Sequence, residues 1–161
     1  MSELPLRERF MRRAIALAAS NPAAPFAAIV VDMRTNEILV EGINRHRENP
    51  TWHGEIDAIN RCAALGQDVN WAAMRLYTTA EPCCMCQGAI LWAGISEVVF
   101  GTSIRSLKQL GWKQIDISAE EVARRTPFFR CRLTGGVLAA ECDQLFRRAM
   151  AARGDTYHER I

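Results

Sequence analysis

Apolar residues recur every three to four positions at the start of the chain. Leu6, Phe10, Ala14, Leu17 and Ala18 share one side, while Arg7, Arg9, Arg12 and Arg13 occupy others. This spacing predicts an amphipathic helix that Asn21-Pro22 ends. From Phe26 to Asp32 the run is continuously apolar up to its last residue, as in a buried strand. Met33-Arg34-Thr35-Asn36 turns it into a second strand, Glu37 to Val40, and Gly42 ends the hairpin. A helix follows from near His53 to about Leu65, with Thr51 as its cap and Gly66 as its stop. Leu76-Tyr77-Thr78-Thr79 predicts a third strand. Pro82 fits the first turn of a helix that ends at Gly94, because proline's missing N–H costs nothing there. Glu97 to Phe100 supplies a fourth strand, parallel to the third since a whole helix intervenes. Ser118-x-x-Glu121 has the capping-box pattern and opens a short helix to about Arg125. Phe128 to Leu133 reads as a fifth strand, and Gly135-Gly136 turns into a final amphipathic helix, Val137 to about Arg153. Its inner face carries Leu138, Cys142, Leu145, Phe146 and Met150. The expected fold class is α/β: a three-layer α/β/α domain around a central mixed five-stranded sheet.

Composition adds bounds. A chain of 161 residues, 49% hydrophobic and 24% charged, is sized for one domain with an adequate core, here 1–161. No apolar run approaches a membrane span and no signal peptide opens the chain. Six cysteines, two of them wanted as thiolates, fit a reducing cytoplasm better than a disulfide framework. Cys62, Cys131 and Cys142 read as small buried hydrophobes. The net charge is only +2, and from Ser118 onward eight Arg are intermixed with six Asp and Glu, a weak footprint for RNA. Arg147, Arg148 and Arg153 are read as a solvated helix face, and solvent is the default for His46.

The chemistry concentrates in two short stretches. Cys83 and Cys86 have the spacing that lets two thiolates hold one Zn²⁺ from a single turn. His53 can be a third ligand, which leaves the fourth tetrahedral position to water, as in a catalytic site. Glu55, two residues on, is placed to accept that water's proton and deliver it to a ring nitrogen or a leaving amine. A thioredoxin-like redox pair would leave His53 and Glu55 unexplained. A closed structural site would need a fourth ligand, and Cys84, one helical residue on from Cys83, should project elsewhere. A zinc-stabilised module that only binds a partner is the reading from another class, and the presence of Glu55 speaks against it.

His53-x-Glu55 with Pro82-Cys83-x-x-Cys86 resembles the signature of the cytidine deaminase superfamily, zinc enzymes that hydrolyse an amino group from a base. The resemblance runs roughly from Pro25 to Phe146. It implies a cytidine-deaminase-like fold, His53, Cys83 and Cys86 as zinc ligands, Glu55 as catalytic proton shuttle, and a homodimer. Asn44 corresponds to the asparagine that binds the base in guanine and cytosine deaminases. Trp92 corresponds to a tryptophan set against the base in guanine deaminases. Phe26 and Trp52 can wall the pocket or be core aromatics.

The resemblance divides over the substrate. His53-Gly54-Glu55-Ile56 and Leu76-Tyr77-Thr78-Thr79 are similar to fungal cytosine deaminases. Asn49-Pro50-Thr51, Trp92 and Arg125-Thr126-Pro127-Phe128-Phe129 are similar to bacterial guanine deaminases. Thr134-Gly135-Gly136-Val137-Leu138 with Glu141-Cys142 is similar to tRNA adenosine deaminases. The modest charge favours a free nucleobase over RNA, guanine first, then cytosine or isocytosine. Thr102 to Ile117 is the stretch expected to choose the base. Guanine deaminases carry an acidic pair after a Gly-aromatic step, whereas Gly111-Trp112 is followed by Lys113-Gln114. Gln114, which donates as well as accepts, is thus a substrate-binding candidate, with Asp116 as the acidic substitute. The tail, about 154–161, is expected to fold over a pocket or to fray.

Overall fold

The computed structural model describes residues 3–153. Its elements are α1 (Glu3–Ala18), β1 (Ala27–Asp32), β2 (Glu37–Ile43), α2 (Gly54–Ala63), a 3-10 turn (Trp71–Ala73), β3 (Met74–Ala80), α3 (Cys84–Ala93), β4 (Glu97–Thr102), α4 (Ile104–Gln109), α5 (Ala119–Arg124), β5 (Arg132–Thr134) and α6 (Ala139–Arg153). The strands form one sheet in the order β2-β1-β3-β4-β5. β1 is antiparallel to both neighbours, whereas β3, β4 and β5 run parallel.

Strand alternation divides the core into two layers, as a period of two requires. Ile29, Val31, Tyr77 and Val99 face one side, where Phe10, Met11 and Ala14 of α1 and Cys142 of α6 cover them. Ala28, Val30, Leu76 and Val98 face the other, against Ala58 and Cys62 of α2 and Ile90 of α3. Each large side chain buried this way contributes roughly 1.5–3 kcal/mol. A third cluster lies past the end of β3, where Leu107 and Trp112 meet Phe146 and Ala149. At the other end of the sheet, Arg75, Glu97 and Arg132 stand in register on β3, β4 and β5. The buried Glu97 carboxylate accepts from both guanidinium groups and from Arg7.

Several expected boundaries shift. Gly42 lies inside β2 rather than after it. Thr51 does not cap α2, because its backbone N–H and hydroxyl both donate to Asn49 Oδ1; His53 takes the N-cap position. Pro82 sits just before the N-cap of α3, which is Cys83, so it is outside the first turn. α4 falls within the stretch left without an element. β5 is shorter than Phe128–Leu133, covering only Arg132–Thr134, and Phe128 lies outside it, stacked on Trp92. The final helix starts at Ala139, after Leu138 adopts φ 51°. Cys62 and Cys142 are buried, while Cys131 is only half-buried. The tail lies outside the described residues. No helix among the described residues is long and apolar enough to cross a membrane.

Candidate active site

The site forms where the helix starts of α2 and α3 meet beyond the end of β3. Close backbone packing puts α2 there. A Cβ on Gly54 would lie 2.7 Å from the Phe26 carbonyl oxygen, and one on Gly42 would lie 2.5 Å from that of Gly54. Only glycine lets β1, β2 and α2 approach so closely. Asp57, buried one turn into α2, tightens the junction by accepting from the Ile43 N–H at 3.0 Å and from Arg61 at 3.0 Å.

His53 and Cys83, the two N-cap residues, both have extended backbone, with ψ of 167° and 168°. Their side chains therefore leave the helix axes and converge. His53 Nδ1 lies 3.7 Å from Cys83 Sγ and 3.5 Å from Cys86 Sγ, and the three ligand atoms all lie within 4.8 Å of one another. Zn–S bonds of about 2.3 Å and a Zn–N bond of about 2.0 Å at a tetrahedral angle would set N···S at about 3.5 Å. The observed separations fit that ion. Cys84 does not join the group.

Without a metal the two thiols behave as a pair. A hydrogen bond from Cys86, aided by one with His53 and opposed by burial, holds Cys83 down to about 4. The same contact and burial push Cys86 upward, and the Cys83 thiolate raises His53. Zinc is held by thiolates, so its binding releases the protons these sulfurs carry.

Glu55, the second residue of α2, is 3% exposed. Burial pushes its carboxyl above the ordinary carboxylate range, and the nearby Cys83 thiolate adds to this. Thr78 Oγ1 donates to Oε1 at 3.0 Å, which fixes the orientation of the carboxyl. A Thr78→Val variant should keep fold and zinc but lower kcat about tenfold, as expected when a buried orienting hydrogen bond is lost. Unchanged kcat would remove this role. Sequence reasoning missed both Thr78 and Asp57, because only the fold brings them to their partners.

Asn44 is 8% exposed. Its N–H donates to the Phe26 carbonyl at 2.9 Å, and its own carbonyl accepts from Asn21. His46, expected in solvent, is half-buried instead. Its backbone N–H and Nδ1 donate to Asn44 Oδ1 at 3.2 and 2.5 Å. With Oδ1 engaged by His46, the NH₂ group, a donor, is what the Asn44 amide has left to offer. The His46 ring is pushed below its ordinary value, chiefly by burial.

The other candidates are dispersed. Phe26 packs edge-on against Trp112 at 5.1 Å and also meets Phe146, half-buried at the edge of that cluster. Trp52 lies beneath the Arg45 guanidinium. Trp92, on the last turn of α3, is 79% exposed and stacks on Phe128, so it does not wall this chain's own site. Gln114 is half-buried between α4 and α5. Asp116 points outward and pairs with Lys108 at 2.6 Å, away from the acidic role considered for it. A cavity of about 440 Å³ adjoins Asn44 and is lined by Arg45, His46, Arg47 and Arg153. A larger cleft, about 870 Å³, lies between α5 and β5 and includes none of His53, Glu55, Cys83 and Cys86.

Two cysteines, one histidine and a buried carboxylate at paired helix starts define a class: metal-dependent hydrolases that replace an amine on a cyclic amidine. Residues 5–102 match the cytidine and deoxycytidylate deaminase zinc-binding region, and the chain belongs to that family. It is 36% identical over 140 residues to guanine deaminase of Bacillus subtilis, covering 79% of this chain and 86% of the relative. It is also 36% identical over 149 residues to the tRNA-specific adenosine deaminase of Haemophilus influenzae, covering 85% and 79%. The solved structure of NE0047 in complex with 2,6-diaminopurine superposes with a TM-score of 0.80 at 27% identity, covering 96% of this chain and 87% of the other. The protein is a zinc-dependent nucleobase or nucleoside deaminase. When bound, zinc supplies Lewis acidity that makes water nucleophilic near neutral pH. Everything else is the work of the chain's own side chains.

Proposed function

We propose that this deaminase acts on a free purine base, guanine first, with His53, Cys83 and Cys86 holding zinc and Glu55 as proton shuttle. Glu55 takes the first proton of the attacking water and delivers it to the ring nitrogen, then takes the second, from the hydroxyl now on the carbon, and delivers it to the amine, which departs as ammonia as the C–N bond breaks. The observation that carries the choice of a purine base is the likeness, over 96% of the chain, to a structure solved with a purine base. Asn44 supports guanine: with Oδ1 engaged by His46, its NH₂ presents a donor, and guanine offers adjacent acceptors at N7 and O6. Gln114 is the second polar candidate on the substrate side. Cytosine or isocytosine is the alternative within free bases. The cavity beside Asn44, lined by Arg45, Arg47 and Arg153 with Glu48 paired to Arg45, favours a different reading, a phosphate-bearing substrate such as a tRNA adenosine. We also place the protein in the cytoplasm as a homodimer, with the exposed Trp92–Phe128 pair as surface for a second copy; sedentary monomers at micromolar concentration in sedimentation would count against the dimer.

The deciding experiment is ammonia release by the zinc-loaded protein from guanine, cytosine, isocytosine, adenine, their nucleosides and a tRNA with adenosine at the wobble position. Turnover of guanine with silence on tRNA is the expected result; turnover of tRNA alone overturns it. An Asn44→Ala variant should raise KM on the preferred base by about tenfold, the size of one lost polar contact, with zinc content unchanged.

A further inference from the structure

Glu81 stands between β3 and the zinc ligands and has no part in the chemistry described so far. Its backbone N–H donates to the Thr102 carbonyl at 2.7 Å, closing the ends of β3 and β4 together. The side chain is buried, 9% exposed. One carboxylate oxygen accepts from the Ile104 N–H at 2.8 Å and the other from the Ala119 N–H at 2.9 Å. These donors belong to the first residues of α4 and α5, where backbone N–H groups have no partner within the helix. A single carboxylate thus pins both ends of segment 104–119, two residues from Cys83. That segment carries Gln114, and it carries Trp112, which packs edge-on against Phe26 beside Asn44.

We propose that Glu81 is a positioning residue that ties segment 104–119 to the turn bearing Cys83 and so sets which base is accepted. The substrate part of this inference rests on the deaminase reading above. A carboxylate suits the task because both its oxygens accept, and charge-assisted bonds to backbone N–H groups are the stronger kind. An amide could serve one N–H but would turn its own donors towards the other.

Three variants test the inference. Glu81→Gln removes one of the two acceptors. Ala119→Pro deletes the N–H donor that one oxygen accepts, at the first helical position, where proline is well tolerated; Ser118 before it already has the extended backbone proline requires, with ψ 153°. Arg124→Ala, on the exposed side of α5, is the control. Zinc content, amide hydrogen exchange over 104–119 and steady-state kinetics on two substrates are measured for each. In Glu81→Gln and Ala119→Pro, zinc should stay bound and exchange in the segment should accelerate about tenfold, with KM up about tenfold and kcat changed less than about threefold. The preference between the two substrates should narrow. Exchange as slow as in the parent protein, or an equal fall in kcat for every substrate with KM unaltered, overturns the inference. If the parent protein turns over no base at all, the substrate reading fails, while the exchange rates still decide whether Glu81 holds the segment.

Discussion

A Glu55→Gln variant should fold, bind zinc and lose at least about 10²–10⁴-fold in kcat, the range that a positioned general acid–base supplies. Glutamine keeps the volume and can still accept from Thr78 Oγ1, so the change removes the titratable proton and little else. Stability should not fall. The native carboxyl is buried and pushed above its ordinary range, so its ionised form is disfavoured in the fold, and a neutral isostere relieves that cost. Three measurements separate the outcomes: zinc per chain, thermal midpoint and single-turnover rate on the preferred base. A single-turnover rate within about threefold of the parent, with zinc bound, would remove Glu55 from proton transfer, because glutamine cannot relay a proton and another group would have to do so. Loss of zinc would instead mean that the carboxylate orders the ligand turn.

What could be read in the chain and what could not divide along a physical line. His53, Glu55, Cys83 and Cys86 stood out because metal chemistry fixes residue type and local spacing together. The sheet was legible because β1 is buried on both faces and so runs apolar without interruption. Local signals were overridden where a competing partner lay close by. Thr51 should cap α2, but the Asn49 side chain captures it, and the His53 ring is committed to the sulfurs instead. Ser118 does accept from the Glu121 N–H, yet the reciprocal half of the capping box is missing, because Arg124 and Arg125 claim the Glu121 carboxylate. α4 was silent because a six-residue helix with only Ile104 and Leu107 buried has too few turns to show a period. Thr78 and Glu81 carry no local pattern at all, whereas the partner of His46, Asn44, lies only two residues away. Thr78 reads as one more strand residue, and only pairing of β3 beneath α2 brings its hydroxyl to Glu55. Glu81 is silent in the same way, since the two N–H groups it binds are brought to it only by the fold.

The second large effect expected is on stability, from the smallest possible substitution. In Gly42→Ala the new Cβ would lie 2.4 Å from Ala58 N, 2.5 Å from Gly54 O and 2.9 Å from Ala58 Cα, all backbone atoms that cannot rotate away. β2 and α2 must separate, at a cost of about 3 kcal/mol or more for overpacking against rigid neighbours. For a chain of this size that corresponds to a fall of roughly 6–12 °C in the thermal midpoint. The displacement is transmitted to chemistry, because α2 carries Glu55 and follows directly from His53: its retreat draws Nδ1 away from both sulfurs and loosens the Glu55–Thr78 bond. Zinc affinity should fall along with stability. Gly88→Ala is the paired control. Gly88 lies within α3 close to the ligands, yet a Cβ there meets nothing within 4 Å. Alanine in that helix interior should stabilise by roughly 0.5–1 kcal/mol through reduced unfolded-state entropy. Opposite signs for two glycine-to-alanine changes beside one metal site would show that contact with α2, and not glycine's flexibility, is what position 42 requires; a Gly42→Ala protein as stable as its parent would show that β2 and α2 can part without cost.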